Sequence, residues 1–223
     1  MTTENIILLI SVFLINLVVF YLLAKDKGLN EIKDDGKPVA SKKFILIYGA
    51  IFIVINIAIA VFFMFMYGSN SVLFSLKRFC ILSLLWPIGL IDFKTYRIPN
   101  VFILAGLSLR VILIIPELIF ETEFVLGTLI SEAVAAVAIA LAAFLCSICM
   151  KNSIGYGDIK LFIIMGLLLG MSGIWSAVFM SLIVAFFAAI FLLITRKKGR
   201  KDVVPFAPAI MIGTYISVIL TGM

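Results

Sequence analysis

Residues 44–67 decide the fold; they read FILIYGAIFIVINIAIAVFFMFMY and contain no charged side chain. A helix rises about 1.5 Å per residue, so roughly 20 apolar residues cross the hydrocarbon core of a bilayer. This stretch is long enough to do so. The sequence therefore predicts a transmembrane helix here, with further spans on both sides of it.

The composition of the whole chain indicates a membrane protein. The 223 residues are 64% hydrophobic and 13% charged, whereas an ordinary soluble domain is about 45–50% apolar and about 25% charged. A water-soluble globule is therefore excluded, and the chain has no room for a separate soluble domain. We predict an all-α fold, a polytopic membrane bundle of about eight transmembrane helices joined by short loops.

Apolar runs separated by polar residues give the positions of these spans. The sequence predicts them at 5–24, 44–67, 78–92, 98–116, 125–150, 158–171, 174–194 and 204–222. The run 158–194 is too long for one span, and a break is predicted at the sequence GMSG, residues 170–173. We expect two N-terminal spans over 1–77 and a six-span core over 78–223.

The basic residues orient the predicted bundle. If the loop 25–43 is cytoplasmic, alternation of the spans places all of the 18 basic residues on the cytoplasmic side except Lys77, Arg78 and Arg110. Lys77 and Arg78 are then expected outside, and one outside loop holds Glu117, Glu121 and Glu123. Both termini are expected outside, in a multi-pass protein of the plasma (inner) membrane. The net charge of +6 then reflects topology and contact with anionic membrane lipids, and nucleic acid is not an expected partner.

Residue types that are absent exclude several kinds of chemistry. The chain has no histidine, which excludes Ser-His-Asp and Cys-His catalysis and removes a common zinc ligand. Cys80, Cys146 and Cys149 lie in apolar stretches, so neither a disulfide framework nor a four-cysteine metal site is expected. We expect Cys146 and Cys149 to be small buried residues of the fifth span. No metal and no cofactor are predicted, so any catalysis depends on carboxylates, hydroxyls, lysines or backbone.

Charged residues in or beside the spans are the candidates for function, because a charge inside a membrane is costly. Asp92, Arg110, Glu132 and Asp158 are the ones that stand out. We expect Arg110 either to snorkel to the membrane edge or to pair with Glu132 or Glu117, and both are structural roles. The two aspartates differ, since the predicted topology brings both to the same depth, at the cytoplasmic ends of the third and sixth spans.

Two carboxylates at one depth are typical of aspartyl-protease chemistry. Two such groups close together cannot both ionise easily, so one keeps a proton while the other activates water. This chemistry needs no histidine, metal or covalent intermediate. Gly155 and Gly157 before Asp158 permit positive φ and the close approach of another backbone, which an extended peptide substrate requires.

Simpler structural roles stay open for both aspartates at this point. Asp158 could be a helix N-cap, since aspartate is preferred where a loop enters a helix. Asp92 could be a solvated helix end paired with Lys94 or Arg97. Pro99 is expected to be a first-turn proline that starts the fourth span.

The sequence around the two aspartates carries motifs in a fixed order. Asp92 precedes Ile98-Pro99-Asn100, and Asp158 lies within GYGDIK, residues 155–160. The sequence PFAP at 205–208, followed by Gly213-Thr214, begins the last span. Over roughly residues 78–222, these motifs resemble the prepilin peptidases, also called type IV leader peptidases, and their archaeal preflagellin relatives.

The resemblance implies an aspartic endopeptidase with Asp92 and Asp158 as its catalytic residues. Such an enzyme cuts the short basic leader of pilin-like precursors after a glycine, before the precursor's hydrophobic helix, at the cytoplasmic face of the membrane. Lys160 is expected either to favour the charged form of Asp158 or to anchor its helix at the interface. The residues expected to support the site or face the substrate are Gly155, Gly157, Lys160, Pro99, Asn100 and Pro205.

The sequence departs from the resembled family in the loop after the first span. Many bacterial members carry a long cytoplasmic domain there, with paired cysteines that hold metal, and also methylate the new N-terminus. Here the loop is only 25–43, without cysteine, and its core DDGKP at 34–38 is expected to be a flexible linker. We therefore predict peptidase activity without N-methyltransferase activity.

Three other interpretations of the sequence are open. A presenilin-like membrane protease shares the Gly-x-Gly-Asp motif but has Tyr-Asp on the preceding catalytic helix, whereas Ile91 precedes Asp92 here. A proton-coupled transporter could use Asp92 and Asp158, although its carboxylates are expected near the bilayer midplane. A structural subunit of pilus assembly requires neither acid.

Overall fold

The computed structural model describes residues 3–32, 38–149, 155–195 and 205–222. Its helices are α1 (Thr3–Ala24), α2 (Lys42–Met66), α3 (Val72–Thr95), α4 (Asn100–Phe120), α5 (Val125–Cys149), α6 (Tyr156–Ile194) and α7 (Ala207–Thr221). Six of these helices are long and apolar enough to cross a bilayer, and α7 is a shorter apolar helix. The predicted all-helical membrane bundle is therefore confirmed.

Helix α6 contains two of the predicted spans, separated by a break at Gly170. Its 39 residues exceed a single crossing, because a span needs about 20. Gly170 has φ 69° and ψ −174°, a conformation that glycine adopts without the strain that a side chain causes. Residues 156–169 form the first arm of α6, and residues 171–194 form the second. The break predicted at 170–173 is confirmed, so the eight predicted spans correspond to seven helices in the described part of the chain.

The first arm of α6 runs antiparallel to α3. Asp158, at the start of this arm, lines the same cavity as Asp92, near the end of α3. At the other end of the arm, the Leu169 carbonyl accepts a hydrogen bond from Arg78, near the start of α3. The first arm therefore begins at the end of the bundle where α3 ends, and Asp158 lies there.

The second arm of α6 returns in the opposite direction. Near its start, the Ser176 and Ser217 hydroxyls are 2.8 Å apart, and Ser217 lies near the end of α7. Further along, the Ser181 hydroxyl donates a hydrogen bond to the carbonyl of Ile210, near the start of α7. Because α7 begins beside Asp92 at the end of α3, the second arm runs parallel to α3 and antiparallel to the first arm.

Helix α3 lies at the centre of the bundle. It contacts α1, α2, α4, α6 and α7. Most of its residues are buried, although it is the least apolar of the long helices, while each of the others presents an apolar face at the bundle surface. Those exposed faces carry Leu, Ile, Val and Phe, which are compatible with lipid tails. The polar helix is thus inside and the apolar helices surround it.

Glycines allow the arms of α6 to approach their neighbours closely. A Cβ at Gly166 would lie 2.7 Å from the backbone of Ala136 on α5, and one at Gly213 of α7 would lie 2.3 Å from the backbone nitrogen of Ser181. Small residues at such contacts let helix backbones pack tightly in membranes. The first arm is therefore held against α5 and the second against α7.

Four charged side chains form a buried ion cluster that joins α3, α4 and α5. Lys77 Nζ lies 2.9 Å from Glu117 and 2.7 Å from Glu132. Arg110 lies 2.8 Å from Glu117, and its Nε donates to Glu132 at 2.6 Å. All four side chains are nearly fully buried, so each charge is neutralised within the protein. The predicted pairing of Arg110 is confirmed, and it includes both glutamates.

The positions predicted for Lys77, Arg78 and Glu117 are wrong. Helix α3 begins at Val72, so Lys77 and Arg78 lie within the span and are buried rather than placed outside it. Helix α4 continues to Phe120, so Glu117 lies in a helix and not in a loop. Charged side chains are tolerated within a span where the bundle supplies partners for them. Here Lys77 and Glu117 pair with each other across α3 and α4.

The predicted burial of Cys146 and Cys149 is also wrong. Both are exposed on α5, whereas Cys80 is buried in α3. The buried stripe of α5 passes through Ala135 and Ala143. Neither exposed cysteine lies on this stripe, so both are on the face that points away from the bundle.

Some sequence predictions fall outside the described residues. The predicted linker 34–38 does so apart from Pro38. The basic residues counted for the orientation that also lie outside are Lys33, Lys37, Lys151, Arg196, Lys197, Lys198, Arg200 and Lys201. The orientation of the bundle and its division at residue 77 therefore stay predictions from the sequence.

Removing one carboxylate from the ion cluster should destabilise the protein strongly. Glu132→Ala takes a partner from both Lys77 and Arg110, and breaking a buried pair costs about 3–5 kcal/mol. Glu123→Ala removes an exposed carboxylate and should change the free energy of unfolding by less than about 0.5 kcal/mol. Unfolding of both variants in detergent, followed by circular dichroism, measures the difference. Equal stability of the two variants would contradict a structural role for the cluster.

Candidate active site

Asp92 and Asp158 line one cavity at an end of the bundle. Asp92 belongs to the last turn of α3, and Asp158 belongs to the first turn of α6. The cavity has a volume of about 310 Å³, and its other lining residues are Tyr96, Arg97, Ile98, Asn100, Gly155, Gly157 and Lys160. The two carboxylates are near enough to repel each other electrostatically. Two acids that are 66 positions apart in the sequence thus meet through the antiparallel packing of α3 and the first arm of α6.

The start of α7 holds Asp92 in place. Its side chain is buried, and Oδ2 accepts a hydrogen bond from the backbone N–H of Ala207 at 3.0 Å. The backbone N–H of Phe206 is a second donor. Because the first N–H groups of a helix lack carbonyl partners within that helix, they are suited to bind an anionic group. Pro205, predicted to support the site, lies half-buried just before these donors and does not line the cavity.

The suggestion that Asp92 is a solvated helix end is therefore wrong. Asp92 is 7% exposed, and its carboxylate accepts a hydrogen bond from the first turn of α7. Of the two basic residues considered as its partners, Arg97 lies 3.7 Å from Asp26 instead, and Lys94 lies over the ring of Phe44.

Asp158 is not an N-cap, so that suggestion is also wrong. Gly155 is the N-cap of α6, and Asp158 lies three residues later, where its Oδ2 accepts the Gly155 N–H at 3.3 Å. The carboxylate therefore bends back over the first turn of the helix, as in a capping box. This fixes the side chain at the cavity wall.

The two glycines of the motif serve close packing, not positive φ. Gly155 has φ −70°, and Gly157 is not among the described glycines with positive φ, so that expectation is wrong. A Cβ at Gly157 would lie 3.2 Å from Cβ of Ile98. The first turn of α6 thus packs against the Ile98 side chain, in the segment that follows α3, and the approach of another backbone to these glycines stays a prediction.

Lys160 connects α6 to α4 at the edge of the cavity. Its Nζ donates a hydrogen bond to Asn100 Oδ1 at 3.1 Å, and Asn100 is the first residue of α4. Pro99 is the N-cap of α4 rather than a residue of its first turn, and it does not line the cavity. The contact joins the Ile-Pro-Asn motif to the Gly-x-Gly-Asp motif. Whether Lys160 acts on Asp158 or anchors its helix stays open.

Tyr96 is a cavity residue that sequence reasoning missed. It ends α3 in a left-handed conformation with φ 53°, and its N–H donates to the Asp92 carbonyl at 2.8 Å. A left-handed tyrosine is strained by about 1–3 kcal/mol, and such strain is concentrated at functional sites. No sequence signal marks this conformation, because glycine or asparagine is the usual residue there.

The cavity offers carboxylate, amide and ammonium groups. Within the described ranges, no three His, Cys, Asp or Glu side chains come together as a metal site. The two carboxylates can work as an acid and a base on a water molecule if they share one proton. An extended peptide could approach Gly155, where a built Cβ meets only Asp158 and Gly157 of the same turn among the described residues, whereas the Ile98 side chain covers Gly157.

Comparison with known proteins gives one match. The profile of the type IV leader peptidase family matches residues 79–194, just over half of the chain, and this range includes Asp92 and Asp158. No curated protein and no solved structure matches the chain.

A side chain at position 157 should disturb the cavity wall. In Gly157→Leu, the new side chain collides with the Ile98 side chain, and such overpacking lowers the free energy of unfolding by about 1–3 kcal/mol. Gly127→Leu is the control, because nothing lies within 4 Å of a Cβ built at Gly127. We expect a lower midpoint of thermal unfolding for Gly157→Leu only, with partial recovery in the double variant Gly157→Leu/Ile98→Ala. Equal midpoints for the two leucine variants would show that the close contact is absent.

Proposed function

The chain belongs to the type IV leader peptidase family, and from this premise we propose that it is an aspartic endopeptidase that uses Asp92 and Asp158 to remove leader peptides from pilin-like precursors. Membership of the family makes it a multi-pass membrane peptidase. The observation that carries the finer proposal is the shared cavity, in which both carboxylates are held by backbone N–H groups.

The proposed reaction needs one proton shared between the two acids. The ionised carboxylate takes a proton from water, and the oxygen of that water attacks the scissile carbonyl carbon. The protonated carboxyl first hydrogen-bonds the carbonyl oxygen. Its proton then goes to the leaving amine when the C–N bond breaks, and the pair again shares one proton. The sequence of steps uses no metal and no covalent intermediate.

The surrounding residues are given positioning roles in this proposal. The N–H groups of Ala207 and Phe206 hold the Asp92 carboxylate, and the N–H of Gly155 holds that of Asp158, so that both acids are positioned for water and substrate. Lys160 and Asn100 bridge the edge of the cavity where an extended peptide could enter. Pro99 and Pro205 shape the segments that lead into α4 and α7. We therefore assign supporting roles to Gly155, Gly157, Lys160, Pro99, Asn100 and Pro205.

The proposed substrate is a precursor with a short basic leader, a glycine at the cleavage site and a hydrophobic helix after it. The distribution of basic residues in the sequence supports placing the cavity at the cytoplasmic face of the plasma (inner) membrane. Asp92 and Asp158 lie at helix ends, which favours cleavage at the membrane edge over proton transport at the midplane.

We propose that the protein does not methylate the cleaved product. The loop 25–43 is short and has no cysteine, unlike the metal-holding domain that many bacterial relatives carry at this point. Transfer of a labelled methyl group to the cleaved product by the purified protein would contradict this part of the proposal.

Replacing either aspartate by its amide should abolish cleavage. Asp92→Asn and Asp158→Asn keep the size of the side chain but remove the acid, and general acid–base catalysis contributes about 10²–10⁴-fold to rate. We expect each variant to lose at least this factor in cleavage of a pilin-like precursor in membranes. Glu31→Gln, which neutralises an exposed acid of the α1–α2 loop, is the control and should cleave normally. Normal cleavage by a well-expressed Asp92→Asn or Asp158→Asn protein would disprove the proposed pair.

A shared proton also predicts how the rate depends on pH. When both carboxyls are protonated, at low pH, no base is available to activate water. When both are ionised, at high pH, no acid is available for the leaving amine. The initial rate of precursor cleavage should therefore pass through a maximum and fall on both sides of it. A rate that is constant from acid to alkaline pH would count against paired-acid catalysis.

A further inference from the structure

A second cavity lies at the opposite end of the bundle from the Asp92–Asp158 cavity. Its volume is about 350 Å³, and its lining residues include Lys77, Arg78, Gly127 and Gly170. Arg78 and Asp92 are separated by about 21 Å along α3, at ~1.5 Å per residue. The cavity is formed where α3 and α5 begin and where α6 is broken. It is therefore separate from the proposed active site and lies at the other edge of the membrane-spanning region.

The charges around this cavity do not balance. Lys77 and Arg110 are each paired with Glu117 and Glu132, so two cations and two carboxylates neutralise each other. Arg78 is a third buried cation next to this cluster. It forms no ion pair with any residue in the described ranges, although Glu132 acts on it at longer range. The cluster with Arg78 thus carries one surplus positive charge.

The Arg78 guanidinium is held rigidly but is not neutralised. The side chain is 3% exposed, and it donates to the carbonyls of Phe74 at 3.3 Å and Leu169 at 3.4 Å. It also stacks 3.2 Å from the centre of the Phe74 ring. Its Nε has no hydrogen-bond partner among the described residues. A buried cation without a counter-charge is costly, so binding of an anion at Arg78 would be favourable.

The break in α6 adds a helix N-terminus to the same cavity. The second arm begins after Gly170, and its first N–H groups cannot bond carbonyls within that arm. The N–H of Met171 donates instead to the Ser131 hydroxyl at 3.4 Å, and Ser131, Met171 and Ser172 all line the cavity. The positive end of the helix and the unpaired guanidinium therefore face the same space.

The geometry points to a binding site for a singly charged phosphate group at Arg78 and the start of the second arm of α6. One negative charge matches the one surplus positive charge. Arginine and helix N-termini both bind phosphate oxygens well. Glu132, which also lines the cavity, is already neutralised by Lys77 and Arg110. At the edge of a membrane, a phospholipid headgroup is the abundant source of such a group, and free phosphate is the other source.

Gly127 offers a selective way to test this site. It lines the cavity, and nothing lies within 4 Å of a Cβ built there. Gly127→Glu places a carboxylate in the cavity, where it competes with phosphate for Arg78. Gly127→Gln places a neutral side chain of the same size there and is the matched control. Arg78→Gln removes the cation itself and is an independent second variant.

The measurement is binding of two probes to the purified proteins in neutral detergent. Retention of phosphatidylglycerol is followed by native mass spectrometry, and inorganic phosphate by the shift in thermal unfolding. We expect the wild type and Gly127→Gln to bind alike, and Gly127→Glu and Arg78→Gln to bind about tenfold more weakly or worse. If the two variants weaken the binding of phosphatidylglycerol but not of phosphate, the site binds a lipid headgroup. If they weaken the binding of phosphate but not of the lipid, the site binds the free ion. Equal binding by all four proteins, or equal loss in the Glu and Gln variants at 127, would overturn the proposal.

Discussion

A charged group inside a bilayer is costly without a partner, and α3 concentrates this requirement. Lys77 and Arg78 are buried near its start, and Asp92 is buried near its end. Glutamates from α4 and α5 meet Lys77, and the first amide groups of α7 meet Asp92. The most polar span is therefore the central one, because each surrounding helix lies where α3 needs a partner or an apolar cover.

The candidate active site follows from the same arrangement. The α7 amides bind the Asp92 carboxylate and so connect the last helix to the end of α3. The first arm of α6, which ends at the break at Gly170, runs antiparallel to α3, so Asp158 at its start lies at the end of the bundle where Asp92 lies. Both acids are on regular helices, whose packing holds them more precisely than loops would. The left-handed Tyr96 and the close contact of Gly157 with Ile98 form further parts of the wall of the cavity that the two acids share.

Local sequence signals predict the parts of this structure that depend on local chemistry. Apolar length gave the spans, and glycine at 170 marked the break, because few other residues adopt positive φ. The predicted topology placed Asp92 and Asp158 at matching helix ends. The failures concern partners that are distant in sequence or faces that packing selects. Lys77 looked like the end of a span because Glu117 and Glu132 belong to later helices, and the exposed face of α5 around Cys146 depends on where α6 packs.

In the proposed reaction, Asp92 and Asp158 together bind the scissile bond of a peptide. A leader peptide whose scissile amide is replaced by a hydroxyl-bearing isostere, next to a photoreactive group, tests this binding. We expect tight binding that either Asp→Asn substitution abolishes, with cross-links confined to segments 92–100 and 155–160. Cross-links at the opposite end of the bundle, or binding that survives the Asp158→Asn substitution, would contradict it.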